Sequence, residues 1–499
     1  MTTTVDSFSK WRRRLWPVHG YELKKIIPLL FLKFFISVNY TFLYGLKDTV
    51  VVTDKHSGAE VIAVLKGWII LPISIIAAML YSKLSNKFKS TTIFYTSVTL
   101  FLSFVALYAF VLYPNIDSIS PHESADWMLK TFGQKHAHWI AIYRNWAHSL
   151  FYITAELWST IVIFVLYWGF ANQINRVSEA KRTYTLFIAA GDIGSMLPGP
   201  IVYYLCKHYA DVGFLFTLQI ETIIILTFGA CIITLFWWMN KHVVNDPKLV
   251  DQEQVNRGLK TKTKLSLFQS IKYIGSSKYL LSIAVLVIGC ALAINLVEVT
   301  WKANLNLYSS SRAEYHSFIS SVTSILGFVG LITVIFLGGN FLRVFGWLFS
   351  AQISPILIGI TGLLFFLMNL YPQVLTPICT TFGVTPLTVI VFFGAFQFIL
   401  AKTVKYSFFD STKEMVFIPL DQEAKTKGKA AIDVVGSRLG KSGSSWLQLA
   451  LIEIVGTGSV LSITPFLIPF IIFTVASWMF AVRFLHKEFS MQEAQVATA

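Results

Sequence analysis

Apolar segments of about 20 residues recur along this whole chain, each long enough to cross a hydrocarbon core of about 30 Å. That recurrence leaves little choice of fold, because each such segment must satisfy its own backbone hydrogen bonds as a spanning helix. Composition agrees: 55% of the 499 residues are hydrophobic and only 13% charged, whereas a soluble domain carries nearer a quarter. The mean hydropathy is +0.62. We therefore expect an all-α polytopic membrane protein. The net charge of +15 would suggest nucleic acid in a soluble chain. In this class it reflects basic loops on one membrane face, and no nucleic-acid partner is expected. Cys206, Cys231, Cys290 and Cys379 are scattered without ligand spacing, so neither a metal site, a disulfide framework nor a cofactor is indicated.

The apolar runs define spans at roughly 26–46, 60–82, 91–113, 145–170, 184–206 and 213–239, then roughly 279–301, 316–338, 345–370, 383–401, 430–456 and 460–485. The fifth and eleventh are the weakest, interrupted by Gly, Pro and charge. The organisation expected is a basic N-terminal segment (1–25), a six-helix half (26–239), a polar connector (240–278), a second six-helix half (279–485) and a short tail (486–499). Trp11, Leu15 and Trp16 beside Arg12, Arg13 and Arg14 suit either a segment lying on an anionic leaflet or a flexible basic tail.

Charge tests the count. Lys83, Lys87, Lys89, Arg176, Lys181, Arg182 and the basic connector fall on one face, while "PNIDSISPHESADWMLK" falls on the other. Basic loops face the cytoplasm, which puts both termini there. Two six-helix halves about a connector form the plan of a transporter with its site near the midplane. A weak internal echo agrees: "VNYTFLYGLK" and "INLVEVTWK" each place Asn about two turns before Lys.

Ionisable residues inside spans are costly and mark function by default. Glu298, with Lys302 one turn on, lies in "ALAINLVEVTWKANL"; Glu156 lies deep in "YITAELWSTIVIFVLYW". Lys47, Lys66, Lys302, Arg438 and Lys441 could together neutralise a polyanion, with Arg offering a bidentate fork and Lys a point charge. Tyr40, Tyr44, Trp158 and Trp301 could stack on a base or simply pack between helices. Lys33, Arg144, Glu221 and Glu453 read as snorkelling or interhelical pairs, and Asp192 and Asp433 complete the set. "GSRLGKSGSS" imitates a P-loop but has three residues between Gly436 and Gly440 where four are needed, and no strand precedes it. A pump driven by ATP hydrolysis is not expected. Gly440, Gly443 and Ser444 instead permit close helix approach or leave room for a ligand.

Four stretches, "NYTFLYGLKDTVVVTD", "AELWSTIVIFVLYWGFANQI", "INLVEVTWKANL" and "KEMVFIPLDQEAKTKGKAAIDVVGSRLGKSG", resemble the non-mitochondrial ATP/ADP translocases of obligate intracellular bacteria and plastids. The likeness runs in order from about residue 10 to 485. It implies a major-facilitator-like fold of twelve transmembrane helices that exchanges nucleotides by alternating access, with Lys47, Glu156, Glu298 and Lys441 as its charged site residues. There are departures: Tyr44 stands where relatives carry Arg, Asp192 where they carry Asn, and "GKSGSS" replaces "GKSGGA". These open two alternatives: proton-coupled nucleoside triphosphate uptake using Asp192, or exchange of another nucleotide (GTP, UTP, NAD). A membrane enzyme or nucleotide receptor is the rival from another class. The site expected is Lys47, Glu156, Glu298 and Lys441, with Asp192, Lys302, Arg438 and Tyr44 beside them. The lack of a long leader favours a bacterial inner membrane.

Overall fold

The computed structural model describes residues 12, 16–247, 249–250, 275, 277–336, 340–417, 420, 432 and 436–498. Trp11, Arg13, Arg14, Leu15, Asp433 and most of the connector lie outside them. Among the described residues the secondary structure is helical, without strands. Eleven helices among these residues are long and apolar enough to cross a membrane. In the first half these are α1 (Gly20–Val52), α2 (Ala59–Lys87), α3 (Ser90–Ile119), α4 (Trp146–Ile174), α5 (Arg182–His208) and α6 (Phe214–Val244). In the second they are α7 (Lys278–Tyr308), α8 (Arg312–Thr333), α9 (Gly346–Leu370), α10 (Pro386–Met415) and α12 (Thr464–Glu488). Between the last two runs α11 (Ser437–Val455). Its 19 residues rise about 28 Å, but its face carries Arg438, Lys441 and four serines, so it misses the apolar standard that the others meet.

Helices α1, α5 and α6 pack together in one half, and α7 packs with α10, α11 and α12 in the other. The halves meet where α5 lies on α8 and α2 on α11. Small residues set these approaches. A methyl group on Gly440 would come within 2.7 Å of Ala291 and the Ile288 carbonyl, so α11 and α7 touch only because Cβ is missing there. Nothing lies within 4 Å of a Cβ built at Gly443, one turn further on. Of the two expectations for the glycine-rich stretch, close helix approach is met at Gly440.

Tenth-span boundaries differ from those expected. The sequence suggested an end near residue 401, where lysines begin, but the helix continues to Met415. Lys402 and Lys405 can extend it because Lys402 faces Glu298 inside the protein and Lys405 pairs with Asp410 at 3.1 Å. Hydropathy falls there without the helix ending.

With α11 counted, odd helices run from the N-terminal face to the face opposite, called distal here, and even helices return. Two short helices, His122–Phe132 and Ala137–Arg144, lie at the distal end between α3 and α4. There Arg144 holds Asp126, which keeps that carboxyl below its usual range.

Candidate functional site

The deepest charges gather on one carboxylate. Glu298 sits 20 residues into α7, about 30 Å along it, with 5% of its side chain exposed. Lys302 donates to Glu298 Oε1 at 2.7 Å from one turn on in α7. Lys66 of α2 donates to the same oxygen at 3.4 Å. Lys402 of α10 approaches Oε2 at 3.3 Å. The Tyr44 hydroxyl of α1 donates to Oε1 at 3.1 Å. Three ammonium groups from three helices, two of one half and one of the other, thus share a single acid.

A second node adjoins it. Lys47 pairs with Asp48 at 3.0 Å and with Glu156 of α4 at 3.4 Å. The other Asp48 oxygen lies 2.8 Å from Lys302. So the lysines of the two echoing segments, Lys47 and Lys302, meet on one carboxylate across the seam between the halves. Tyr44 lies between them, its ring 4.6 Å from the Lys47 ammonium and 5.2 Å from that of Lys302. Tyr44 therefore supplies a hydroxyl and a π face to the cluster, where an Arg would have added charge.

Local backbone irregularity helps α2 present Lys66. Residues Leu65–Ile70 form a π-helical segment, a widening common at functional sites. The carbonyls of Lys66 and Gly67 accept from Ser442 (3.0 Å) and from the Trp446 indole (3.1 Å) of α11. Lys66 also donates to Asn295 Oδ1 at 2.9 Å, and Asn295 in turn donates to Ser444.

Exposure grades along the membrane normal. Lys47, Asp48 and Lys302, on the distal half of their helices, are at most 1% exposed. Glu156 and Lys402, nearer mid-depth, are each 19% exposed. Tyr406, further towards the N-terminal face on α10, is 61% exposed. Lys441 lies four residues into α11 and is exposed. Among the described residues its ammonium enters no ion pair. Such a gradient describes a recess entered from the N-terminal face and sealed towards the distal one.

Two expected members stand apart from the Glu298 node. Arg438 lies one turn before Lys441 and is half-buried, with Glu156 as its charged neighbour. Asp192 belongs to the α5–α8 contact, its carboxylate against Gly330, and it faces Lys33 rather than the cluster. Lys33 precedes Lys47 by 14 residues on α1, about 21 Å. Trp158 and Trp301 are fully buried and donate to the Ile36 and Val391 carbonyls. They are core, not platforms for a base. Glu221 forms an interhelical pair with His316 (2.8 Å), and Glu453 pairs with His136 (3.1 Å).

Asp48, Lys402 and Asn295 were not singled out from the sequence. Asp48 is the neighbour of Lys47 in "GLKD". Asn295 is the Asn of the "INLVEVTWK" echo, so its signal was present. Lys402 was hidden by the assumed end of its span.

This arrangement of helices about a buried cluster of cations is the major-facilitator fold. Solved structures with this fold include a mutant of the nucleoside transporter NupG (TM-score 0.53, 13% identity, 92% of this chain and 99% of that one). The inward-open xylose transporter XylE from E. coli is similar too (TM-score 0.52, 14% identity, 93% and 95%). The chain belongs to the TLC ATP/ADP transporter family, whose model matches residues 1–489. It is 39% identical to ADP,ATP carrier protein 1 of Chlamydia pneumoniae, covering 99% of this chain and 97% of that one. It is 36% identical to ADP,ATP carrier protein 1 of Rickettsia prowazekii (97% of each). A chloroplastic ADP,ATP carrier protein 1 of Arabidopsis thaliana is 38% identical, covering 96% of this chain and 76% of that one.

Proposed function

We propose that this protein exchanges ATP and ADP across a bacterial inner membrane by alternating access, with residues 26–239 and 279–485 as its two rocking halves and both termini in the cytoplasm. One observation carries the reading: the three-lysine embrace of Glu298, joined through Lys302 and Asp48 to Lys47 across the seam between the halves. Lys441 and Arg438 meet the polyphosphate first, being the accessible cations. Lys402, Lys66 and Lys47 follow as phosphate oxygens displace Glu298 and Glu156 from them. Tyr44 and Lys302 hold the distal floor of the site.

Exchange, rather than one-way uptake, follows from the charge balance. Among the described residues, Lys47, Lys66, Lys302, Lys402, Arg438 and Lys441 confront Asp48, Glu156 and Glu298, an excess of three positive charges. Occluding that excess away from water costs several kcal/mol per unpaired ion. A bound nucleotide polyphosphate cancels it. An empty carrier therefore reorients slowly and a loaded one quickly. Lipid surrounds the apolar flanks, and no hydrolytic chemistry is required.

Counterflow tests the reading. Labelled ATP should enter proteoliposomes faster when ADP is enclosed, and neither an uncoupler nor an imposed pH gradient should alter the rate. Uptake indifferent to internal nucleotide would sink exchange. Accumulation driven by the gradient would favour proton coupling at Asp192, which lies at a contact between the halves where their movement would be felt. A panel of GTP, UTP and NAD in the same assay separates the base alternatives.

A further inference from the structure

At the distal face one guanidinium from the second half grips three elements of the first. Arg312, the first residue of α8, donates from Nε to Thr53 Oγ1 at 3.0 Å and from Nη2 to Asp54 Oδ1 at 2.9 Å. Its Nη1 donates to the Tyr113 hydroxyl at the end of α3 at 2.5 Å. The guanidinium also lies 5.8 Å from the Phe214 ring at the start of α6. Asp54 is tied in turn to His148 of α4 at 3.3 Å, and the other nitrogen of that ring bonds the Tyr108 hydroxyl at 2.8 Å. Burial pushes the Asp54 carboxyl up, but the His148 ring and the Arg312 guanidinium outweigh it and hold it down at about 2. The pair is therefore ionised at any working pH.

Arg312 is not a site residue. It begins α8, ten residues beyond Lys302 and at the sealed end of the recess. Two further ties join the halves at the same face: Glu60 accepts from the Val460 amide at 2.7 Å, and His136 meets Glu453 at 3.1 Å. A recess sealed here can open to the distal side only if the halves part along this line, and Arg312 must then release Thr53, Asp54 and Tyr113 together.

We propose that Arg312 is the positioning residue of the distal gate: its clamp on Thr53, Asp54 and Tyr113 holds the transporter open to the N-terminal face, and its release is the step that exposes the site distally. It differs from a merely structural tie in the sign of its effect. Breaking a tie made in only one of two states shifts the population towards the other, with the fold intact.

Tyr406 makes a suitable reporter. It lies one turn beyond Lys402 on the same face of α10, towards the N-terminal side of the recess, and is 61% exposed. In a chain whose four cysteines are replaced by alanine, Tyr406→Cys is labelled with a membrane-impermeant maleimide applied from the N-terminal face of sided vesicles. Adding Arg312→Gln should slow that labelling severalfold, in proportion to the population lost from the state open to the N-terminal face. Asp54→Asn should slow it likewise, and the two changes together should add little to either alone. Arg312→Lys should fall between. Unchanged labelling overturns the proposal. So does faster labelling, which is what a loosened or misfolded chain would give. The native Cys290, buried between α7 and its neighbours, must stay unlabelled in a parallel Arg312→Gln chain as proof of folding; its labelling also counts against the proposal. The readout needs no nucleotide, so it stands or falls apart from the substrate. Where exchange is active, the half-saturation constants offer a second sign test: Arg312→Gln should lower that for nucleotide on the distal side and raise that on the N-terminal side. Movement of both in one direction contradicts a gate.

Discussion

Replacing Glu298 by Gln keeps the side-chain volume and removes one charge from beside three ammonium groups at 2.7, 3.3 and 3.4 Å. Lys302 keeps Asp48 at 2.8 Å, and Lys66 keeps the Asn295 oxygen at 2.9 Å, but Lys402 has no second acid within bonding reach among the described residues. Stripping one partner from a buried pair costs about 3–5 kcal/mol. The cationic excess of the recess rises from three to four at the same time. Both changes act in one direction on a bound polyphosphate. Lys66 and Lys402 no longer have an acid to return to, so the nucleotide is held at least as tightly and leaves more slowly. An added barrier of about 3–5 kcal/mol corresponds to a factor of roughly 150 to 5,000 in rate. Calorimetry on the purified protein should then give an ADP affinity equal to or tighter than that of the parent. Exchange in proteoliposomes should fall by at least about a hundredfold. Loss of affinity in proportion to loss of rate would refute the reasoning, because it would make Glu298 a support for the binding lysines instead of their competitor. Normal rate and normal affinity would remove Glu298 from the mechanism altogether.

Lys441→Gln should raise the half-saturation constant for nucleotide on the N-terminal side by about tenfold or more, since an exposed phosphate contact is lost there; an unchanged constant excludes Lys441 from the entry path. Lys441→Arg tests whether a point charge suffices, and full activity in that variant would show that the recess has room for the larger fork. Gly440→Val should destabilise the α7–α11 contact by about 1–3 kcal/mol, read as a lower unfolding temperature in detergent, whereas Gly443→Ala should leave it unmoved. Asp192→Asn should leave ATP/ADP homo-exchange intact, because the carboxylate faces Lys33, which lies about 21 Å along α1 from Lys47; a loss of sensitivity to an imposed pH gradient in this variant, where the parent shows one, would assign it proton coupling.

How far the sequence discloses such a molecule depends on which physical signal a residue leaves. Spanning helices leave the strongest, because lipid tolerates long apolar runs and little else, and α12 and every helix from α1 to α10 were visible that way. The signal fails where a helix is sheathed by protein. At α10 the lysines that lowered hydropathy were read as the start of a loop, yet Lys402 is an interior group held by Glu298. At α11 the same cause makes the helix miss the apolar standard: Ser442 and Ser444 turn inward, towards Lys66 and Asn295. Charges within apolar runs identified Lys47, Glu156, Glu298 and Lys302, because burying an ion without a partner is too costly to be incidental. Which partner each would find was not legible. Asp192 and Glu298 look alike along the chain, each a lone acid among apolar neighbours, but α5 delivers one to Lys33 and α7 delivers the other to three lysines. Trp158 and Trp301 likewise cannot be told from base platforms until their indoles are seen bonded to backbone carbonyls. Arg312 left no signal of its own, since an arginine at a helix start beside a loop reads as an ordinary interface residue. Its weight comes entirely from Thr53, Asp54, Tyr113 and Phe214, drawn from three segments that only the closed arrangement of the halves brings to one point. Pair choice is a property of the assembled state, and in a carrier with two such states each cation must be expected to have two sets of partners, of which a single structure displays one.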